Sequence, residues 1–513
     1  MSMNNCFSVS FHVSNRTYMY YPISNFFCEL ENEFVEKHDN TIFSKITGSD
    51  KLSIYLDNIL AEESDLPSII SYYTEHVLPR KLILEITEDC NLRCKYCFNT
   101  IGDSPRIHSS LKMSIDDAIK AIDYYFDLYS KCFIRIPKNE IERYLKIAPP
   151  NLNWWGGEPF LNFELLKKTF YYFIELPWED FGISKDKLAF SVVTNLTYLP
   201  KEILDFIVEH KIFLMVSLDG NESEHNLYRQ FKDGTGSFIH VMKNIDILLK
   251  DYPLFCKNRL IIQAVYMDGH VLAIDKKSFF RQYFYDEEGK CKILKVTQYP
   301  QKTREQFVSS NWIKLNSNVN VDIVNFKNKI KNLINLSEDE LFDFLQINES
   351  INEEFKDVLL LEEKIDFSEP INSFIYRKIF SCPVGKDVIY LSAKGEYHIC
   401  NRTDSSFSIG NLNEGINSDK VGKLLSNYLQ VLRSSCKSCW AIRLCSMCPA
   451  NVLVNAHFRA PNEQECDFIR TTIKRNFYKL IILHENQNLL CKIRNIYYKK
   501  LSFLDYSHPI FIK

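Results

Sequence analysis

The sequence predicts an α/β protein: six strand-helix units in a partial (β/α)6 barrel, preceded by a small α+β module and followed by a cysteine-rich domain. Three observations carry that expectation. From residue 79 to 296, short apolar runs alternate with amphipathic helical patterns, the rhythm of a parallel sheet with right-handed crossovers. The first of those runs leads directly into Cys90-x3-Cys94-x2-Cys97. Seven of the sixteen cysteines then fall between Cys382 and Cys466. With 513 residues, 46% of them apolar, the chain is long enough for several cores. The expected segments are 1–78, 79–296, 297–374, 375–480 and 481–513.

A net charge of -3 provides no general field for a polyanion, so a nucleic-acid partner is not expected. No uncharged apolar run reaches membrane-spanning length, and Met1-Ser-Met-Asn-Asn-Cys6 lacks a basic segment followed by an apolar one. The expectation is a cytoplasmic protein with no membrane partner. In such a setting many cysteines point to metal or redox chemistry rather than a disulfide framework. The six solitary ones (Cys6, Cys28, Cys132, Cys256, Cys291, Cys491) read as small buried hydrophobes.

Taken in order, residues 7–13, 17–21 and 26–30 alternate in the manner of an antiparallel meander, with helical patterns at 31–37 and 53–72. This order is similar to the winged-helix leader-binding modules of peptide-modifying enzymes, and a simple cap on the next domain is the plainer reading. Strands follow at 81–86, 152–155, 188–193, 213–218, 260–265 and 292–296, with helices at 162–175, 201–211, 237–250 and 276–284 between them. Ser114 with Asp117 three residues on marks a helix start before Ile115, Ala118, Ile119 and Ile122. Residues 297–374 are rich in Asn, Lys, Asp and Glu and read as a solvated helical insertion.

Ligand sites of parallel βα barrels collect at the C-terminal strand ends, and the unusual residues of this chain sit there. The second strand ends in Gly156-Gly157-Glu158-Pro159, where glycines allow close backbone approach and a carboxylate can receive an ammonium group. The third ends in Thr194-Asn195 and the fourth in Ser217-Leu-Asp219-Gly220, followed by Tyr228-Arg229 and Gly234-Thr-Gly-Ser-Phe238. Ser217 and Asp219 suit hydroxyl and amino-acid recognition, and Arg229 offers a fork to a carboxylate.

Three thiolates on one loop hold three irons of a [4Fe-4S] cubane and leave the fourth open. Structural zinc sites usually take two close pairs of ligands, and zinc stands as the rival reading. With Tyr96 before its last Cys, the loop resembles the signature of the radical S-adenosylmethionine (SAM) superfamily, and the strand-end series resembles its sulfatase-maturating and peptide-maturating members. The resemblance implies catalytic cluster ligands Cys90, Cys94 and Cys97. It also implies SAM contacts from Tyr96, Gly156, Gly157, Glu158, Asn195, Ser217, Asp219 and Arg229.

Cys382, Cys400, then Cys436-x2-Cys439-x5-Cys445-x2-Cys448 and Cys466 resemble the SPASM domain, with a spacing of two before Cys448 where three is usual. This implies two auxiliary [4Fe-4S] clusters. One takes Cys436, Cys439, Cys445 and Cys466; the other takes Cys382, Cys400 and Cys448, with one iron open unless Cys256 or Cys291 closes it. The implied activity is reductive cleavage of SAM to a 5'-deoxyadenosyl radical that oxidises side chains of a ribosomally made precursor peptide, with thioether or carbon-carbon products. An external reductant of flavodoxin or ferredoxin type supplies the electron. Sulfatase maturation is the alternative, but its base, an Asp after the second SPASM Cys, is Asn401 here. A non-catalytic metal-binding sensor is the alternative from another class.

Overall fold

The computed structural model describes residues 9–13, 16–21, 26–30, 63–97, 108–267, 273–286, 292–301, 319–347, 349–362, 384–401, 407–436, 439–454 and 457–500. The helical pattern expected at 31–37 lies outside these residues, as do Cys6, Cys291 and Cys382.

Strands β1 (Val9–Val13), β2 (Arg16–Tyr21) and β3 (Phe26–Leu30) form the expected antiparallel meander. The large sheet is built on β4 (Lys81–Thr87), β5 (Asn151–Gly156), β6 (Ala189–Thr194), β7 (Phe213–Ser217), β8 (Leu260–Met267) and β9 (Lys295–Gln301). These six lie side by side in chain order, every pair parallel. Alternate residues of β4 show why: Leu82, Leu84 and Ile86 are buried in the main core, while Ile83 and Glu85, on the opposite face, are buried too. The helix Ile115–Phe133 starts where its cap predicts, with Ser114 Oγ accepting from the Asp117 N–H at 3.1 Å.

The cysteine-rich segment does not stand apart from this sheet. Strand β10 (Val388–Leu391) pairs in parallel with β4 on the side away from β5, and β11 (Glu396–His398), β12 (Gly410–Asn411) and β13 (Gly415–Ile416) continue the sheet antiparallel. Arg80 and Asp387, placed just before β4 and β10, close a two-pronged ion pair, and Ala393 N–H donates to Glu85 Oε2 at 3.1 Å. Because β11 runs against β10 and β4, Cys400 leaves the sheet at the end opposite Cys90. Seven residues of β4 at about 3.3 Å rise put those two ends roughly 20 Å apart.

The segment expected to be a solvated insertion is instead one wall of a second core. Its helices Val319–Lys331, Glu338–Ile347 and Glu349–Glu362 bury Phe326, Ile330, Leu341, Leu345, Phe355 and Val358. Their partners are Phe11 and Tyr20 of the meander and Phe477, Leu480, Ile481, Leu490 and Ile493 of two C-terminal helices, Glu463–His484 and Gln487–Lys500. At roughly 1.5–3 kcal/mol for each fully buried apolar side chain, these few residues outweigh the polar surroundings that disguise them in the sequence. Among the described residues no helix is long and apolar enough to cross a membrane.

Candidate functional site

The cysteine loop is carried by backbone pairing on both flanks. Arg93 N–H donates to the Gln230 carbonyl at 2.7 Å and Lys95 N–H to the Tyr228 carbonyl at 2.9 Å. On the other side Gly157 N–H donates to Thr87 O and Glu158 N–H to Asp89 O, both at 2.8 Å. The approach is so close that a Cβ on Gly156 would meet Thr87 O at 2.3 Å and one on Gly157 would meet Asp89 O at 2.1 Å. The glycine pair is therefore required by contact with the loop backbone. Arg93 further braces the turn by donating to the carbonyls of Cys90 and Leu92.

Cys90 is buried and Cys94 and Cys97 are partly so. Burial pushes the Cys90 thiol up to about 12 and the Cys94 thiol up to about 11, with Glu158 adding to the first and the Arg229 guanidinium opposing the second. Two nitrogens face the sulfurs: Asn195 Nδ2 lies 3.8 Å from Cys90 Sγ, and His108 Nε2 lies 3.7 Å from Cys97 Sγ. Three thiols on one loop, with Cys94 and Cys97 both within electrostatic reach of Cys90, fit a cubane, which takes each thiolate on a different iron. Among the described residues no three His, Cys, Asp or Glu side chains converge on one point as the ligands of a single ion do.

Glu158 is 1% exposed and accepts three hydrogen bonds: from Thr194 Oγ1 at 2.7 Å, Asn195 N–H at 2.7 Å and Phe160 N–H at 3.2 Å. Burial raises its carboxyl to about 7 against the pull of those donors. The folded chain thus holds a proton there that the unfolded chain releases near 4.5. Glu158's contribution to stability is full below that pH and is lost as pH rises through about 7. The gap in melting temperature between wild type and Glu158→Gln, whose amide does not titrate, is expected to shift against wild type from pH 5 to 7. A constant gap contradicts the raised carboxyl.

Tyr96, Asp219 and Arg229 meet in one buried cluster. Asp219 Oδ2 accepts from the Tyr96 hydroxyl and from Arg229 Nε at 2.9 Å, and Oδ1 accepts from Val265 N–H at 2.9 Å. The guanidinium carbon lies 5.2 Å from the centre of the Tyr96 ring. Burial alone would raise the Asp219 carboxyl, but Arg229, His225 and the two further donors hold it below the usual range. Burial also pushes His225 down to about 4, so the ring is neutral. Its Nδ1 then accepts from Asp219 N–H at 3.4 Å, and its Nε2–H donates to Ser237 Oγ, which donates to the Arg229 carbonyl. Asp219, anticipated as a ligand contact, has its acceptors facing protein donors. Ser217 ends β7 half-buried.

In the cysteine-rich domain, Cys436 ends the helix Ser418–Ser435, and Cys466 lies in the first turn of Glu463–His484, set there by a capping box between Asn462 and Glu465. Burial pushes the Cys466 thiol up to about 11; Arg470 opposes this, and Cys436, Cys445 and Cys439 add to it. The four cysteines assigned to one auxiliary group therefore share a neighbourhood. Cys400 and Cys448 are partly buried, and Cys256 is fully buried in the main core, on the helix Pro253–Arg259. Asn91, Thr197 and His108 carry no signal in the sequence, whereas Thr194, His225 and Ser237 lie in or beside the strand-end series without being expected to contact a ligand.

Residues 84–263 match the family model described as the Radical SAM superfamily, and the chain carries a radical SAM domain there. It is similar to an uncharacterized protein of Methanocaldococcus jannaschii, 29% identical over 175 residues, which is 34% of this chain and 50% of the relative. The cysteine-type anaerobic sulfatase-maturating enzyme of Clostridium novyi is 28% identical over 167 residues, 33% of this chain and 39% of that enzyme. The subtilosin biosynthesis protein AlbA of Bacillus subtilis is 23% identical over 342 residues, 66% of this chain and 58% of AlbA. The chain thus spans half or less of the first two relatives' length.

Proposed function

We propose that this chain is a radical SAM peptide maturase that oxidises side chains of a ribosomally made precursor peptide into a thioether or carbon-carbon crosslink. The observation that carries the reading is the cysteine loop held against the buried Tyr96, Asp219 and Arg229 cluster in a parallel sheet that continues into a cysteine-rich domain. Cys90, Cys94 and Cys97 would hold a [4Fe-4S] cluster, which supplies reductive cleavage of SAM to a 5'-deoxyadenosyl radical when both are bound. The residues of the chain do the orienting. Arg229 presents positive charge to a carboxylate, and Ser217, half-buried at the end of β7, presents its hydroxyl to a hydroxyl group.

Crosslinking removes two hydrogen atoms from the peptide, one to the radical and one as a proton and an electron. Auxiliary clusters on Cys436, Cys439, Cys445 and Cys466, and on Cys382, Cys400 and Cys448, would take that electron. The position of Cys400 at the sheet end opposite Cys90 suits an acceptor role better than direct binding of the reacting group. The full burial of Cys256 argues against its closing the second cluster.

Sulfatase maturation is the second reading, favoured by the similarity to the Clostridium novyi enzyme and opposed by Asn401, which cannot accept a proton. Mass spectrometry on Cys-bearing precursor peptides and a sulfatase-derived peptide, incubated with reduced protein and SAM, separates the two. The proposal expects loss of two hydrogen atoms with sulfur retained. Conversion of Cys to formylglycine, with loss of sulfur, would establish the second reading.

A further inference from the structure

Asn195 directly follows β6, where the chain turns through Leu196 at a φ of 52°, a left-handed backbone that a leucine adopts only at a cost. That turn is held by Leu196 N–H donating to Thr194 Oγ1 at 2.9 Å and by Asn244 Nδ2 donating to the Leu196 carbonyl at 2.8 Å. Its product is a closed ring of hydrogen bonds. Asn195 Oδ1 accepts from Thr197 N–H at 2.9 Å and from Thr197 Oγ1 at 2.7 Å. Thr197 Oγ1 in turn accepts from Asn91 Nδ2 at 2.7 Å, and Asn91 Oδ1 accepts from Asn195 Nδ2 at 2.9 Å.

A backbone N–H is a donor without ambiguity, so its bond to Asn195 assigns Oδ1 and leaves the amide nitrogen on the other side. One of its hydrogens goes to Asn91. The other faces Cys90 Sγ at 3.8 Å, inside a site where Asn195 and Cys90 are each 7% exposed. Every other polar atom of the side chain is taken by the ring, so none is left to recognise a ligand.

We infer that Asn195 is a positioning residue whose amide N–H donates to the Cys90 sulfur and raises the reduction potential of the cluster on the cysteine loop, rather than a contact to SAM. A hydrogen bond to a cluster thiolate stabilises the reduced form, the more negative of the two, more than the oxidised form. The bond carries no titratable group, and its donor is locked from three directions. The inference rests on the cluster assignment above.

The test is a potentiometric titration of the full-length reconstituted protein, followed by electron paramagnetic resonance, with iron content and SAM affinity measured alongside. Asn195→Leu keeps the volume and removes the donor. It is expected to make reduction less favourable by about tenfold, ~59 mV for a one-electron couple, with SAM affinity unchanged. Thr197→Val loosens the ring while leaving the amide in place, and a smaller shift of the same sign is expected; it decides the matter should Asn195→Leu fail to assemble. An unchanged potential in the assembled variants, or a weakened SAM affinity at constant potential, overturns the inference. Absence of a cluster from the wild-type cysteine loop overturns the cluster assignment itself, which is a distinguishable result.

Discussion

Cys94→Ala is expected to abolish 5'-deoxyadenosine production from SAM while the iron of the cysteine-rich domain stays in place. Cys94 is one of only three thiols on the loop, and two thiolates leave a cubane with two irons lacking a protein ligand. The loop itself should survive, because it is held by Arg93 on the carbonyls of Cys90 and Leu92 and by the backbone bonds to Gln230 and Tyr228, none of which involves the Cys94 sulfur. The auxiliary cysteines are anchored elsewhere: Cys436 and Cys466 at helix ends, Cys400 at the opposite end of the sheet. Iron counting together with chromatography of the nucleoside product checks this. Continued 5'-deoxyadenosine formation by the variant rules out the loop as the cluster site.

Asp219→Ala carries the second large effect, on stability. It leaves the Arg229 guanidinium, 7% exposed, and the Tyr96 hydroxyl without their carboxylate, and removing one partner of a buried pair costs about 3–5 kcal/mol. The double variant Asp219→Ala/Arg229→Met removes both charges and is expected to recover part of that loss. Denaturant titration of the three proteins provides the comparison. If the single variant is as stable as wild type, or the double variant is less stable than the single, Asp219 is not what holds Arg229 in place.

Much of this fold was legible because it rests on local pattern. Apolar runs gave the six parallel strands, and Ser114 with Asp117 gave the helix start. The sixth strand was displaced: residues 292–296 were expected and Lys295–Gln301 is observed. Leu294 N–H is spent on the carbonyls of Cys256 and Leu260, so regular pairing begins after it, and Pro300 is tolerated because β9 is an edge strand among the described residues. Pairing between distant segments left no trace in the sequence. Strand β10 joins β4 across some three hundred positions with only four residues, and nothing in Val388–Leu391 names its partner.

The site was legible by residue type and less so by role. Cys90, Cys94, Cys97, Tyr96, Glu158, Asn195, Asp219 and Arg229 are gathered at one end of the sheet, as strand-end logic demands. What the pattern did not convey is which of them face a ligand and which face each other. Asp219 is engaged by Tyr96, Arg229 and Val265, and Asn195 by Asn91 and Thr197; Tyr96 and Asn91 become visible as partners only when loops about a hundred residues apart are folded together. The buried insertion was missed because Phe326, Leu341 and Phe355 are diluted by Asn, Lys and Glu on the solvated faces of their helices.

The central claim is that the cysteine loop carries a redox-active cluster that cleaves SAM. The most direct measurement is the yield of 5'-deoxyadenosine and methionine when the full chain, reconstituted with iron and sulfide under anaerobic conditions, is reduced with dithionite in the presence of SAM. Equal amounts of both products, absent when either SAM or reductant is withheld, are the expected result. Intact SAM after prolonged incubation, with the clusters shown by iron content and spectroscopy to be assembled and reduced, would contradict the account.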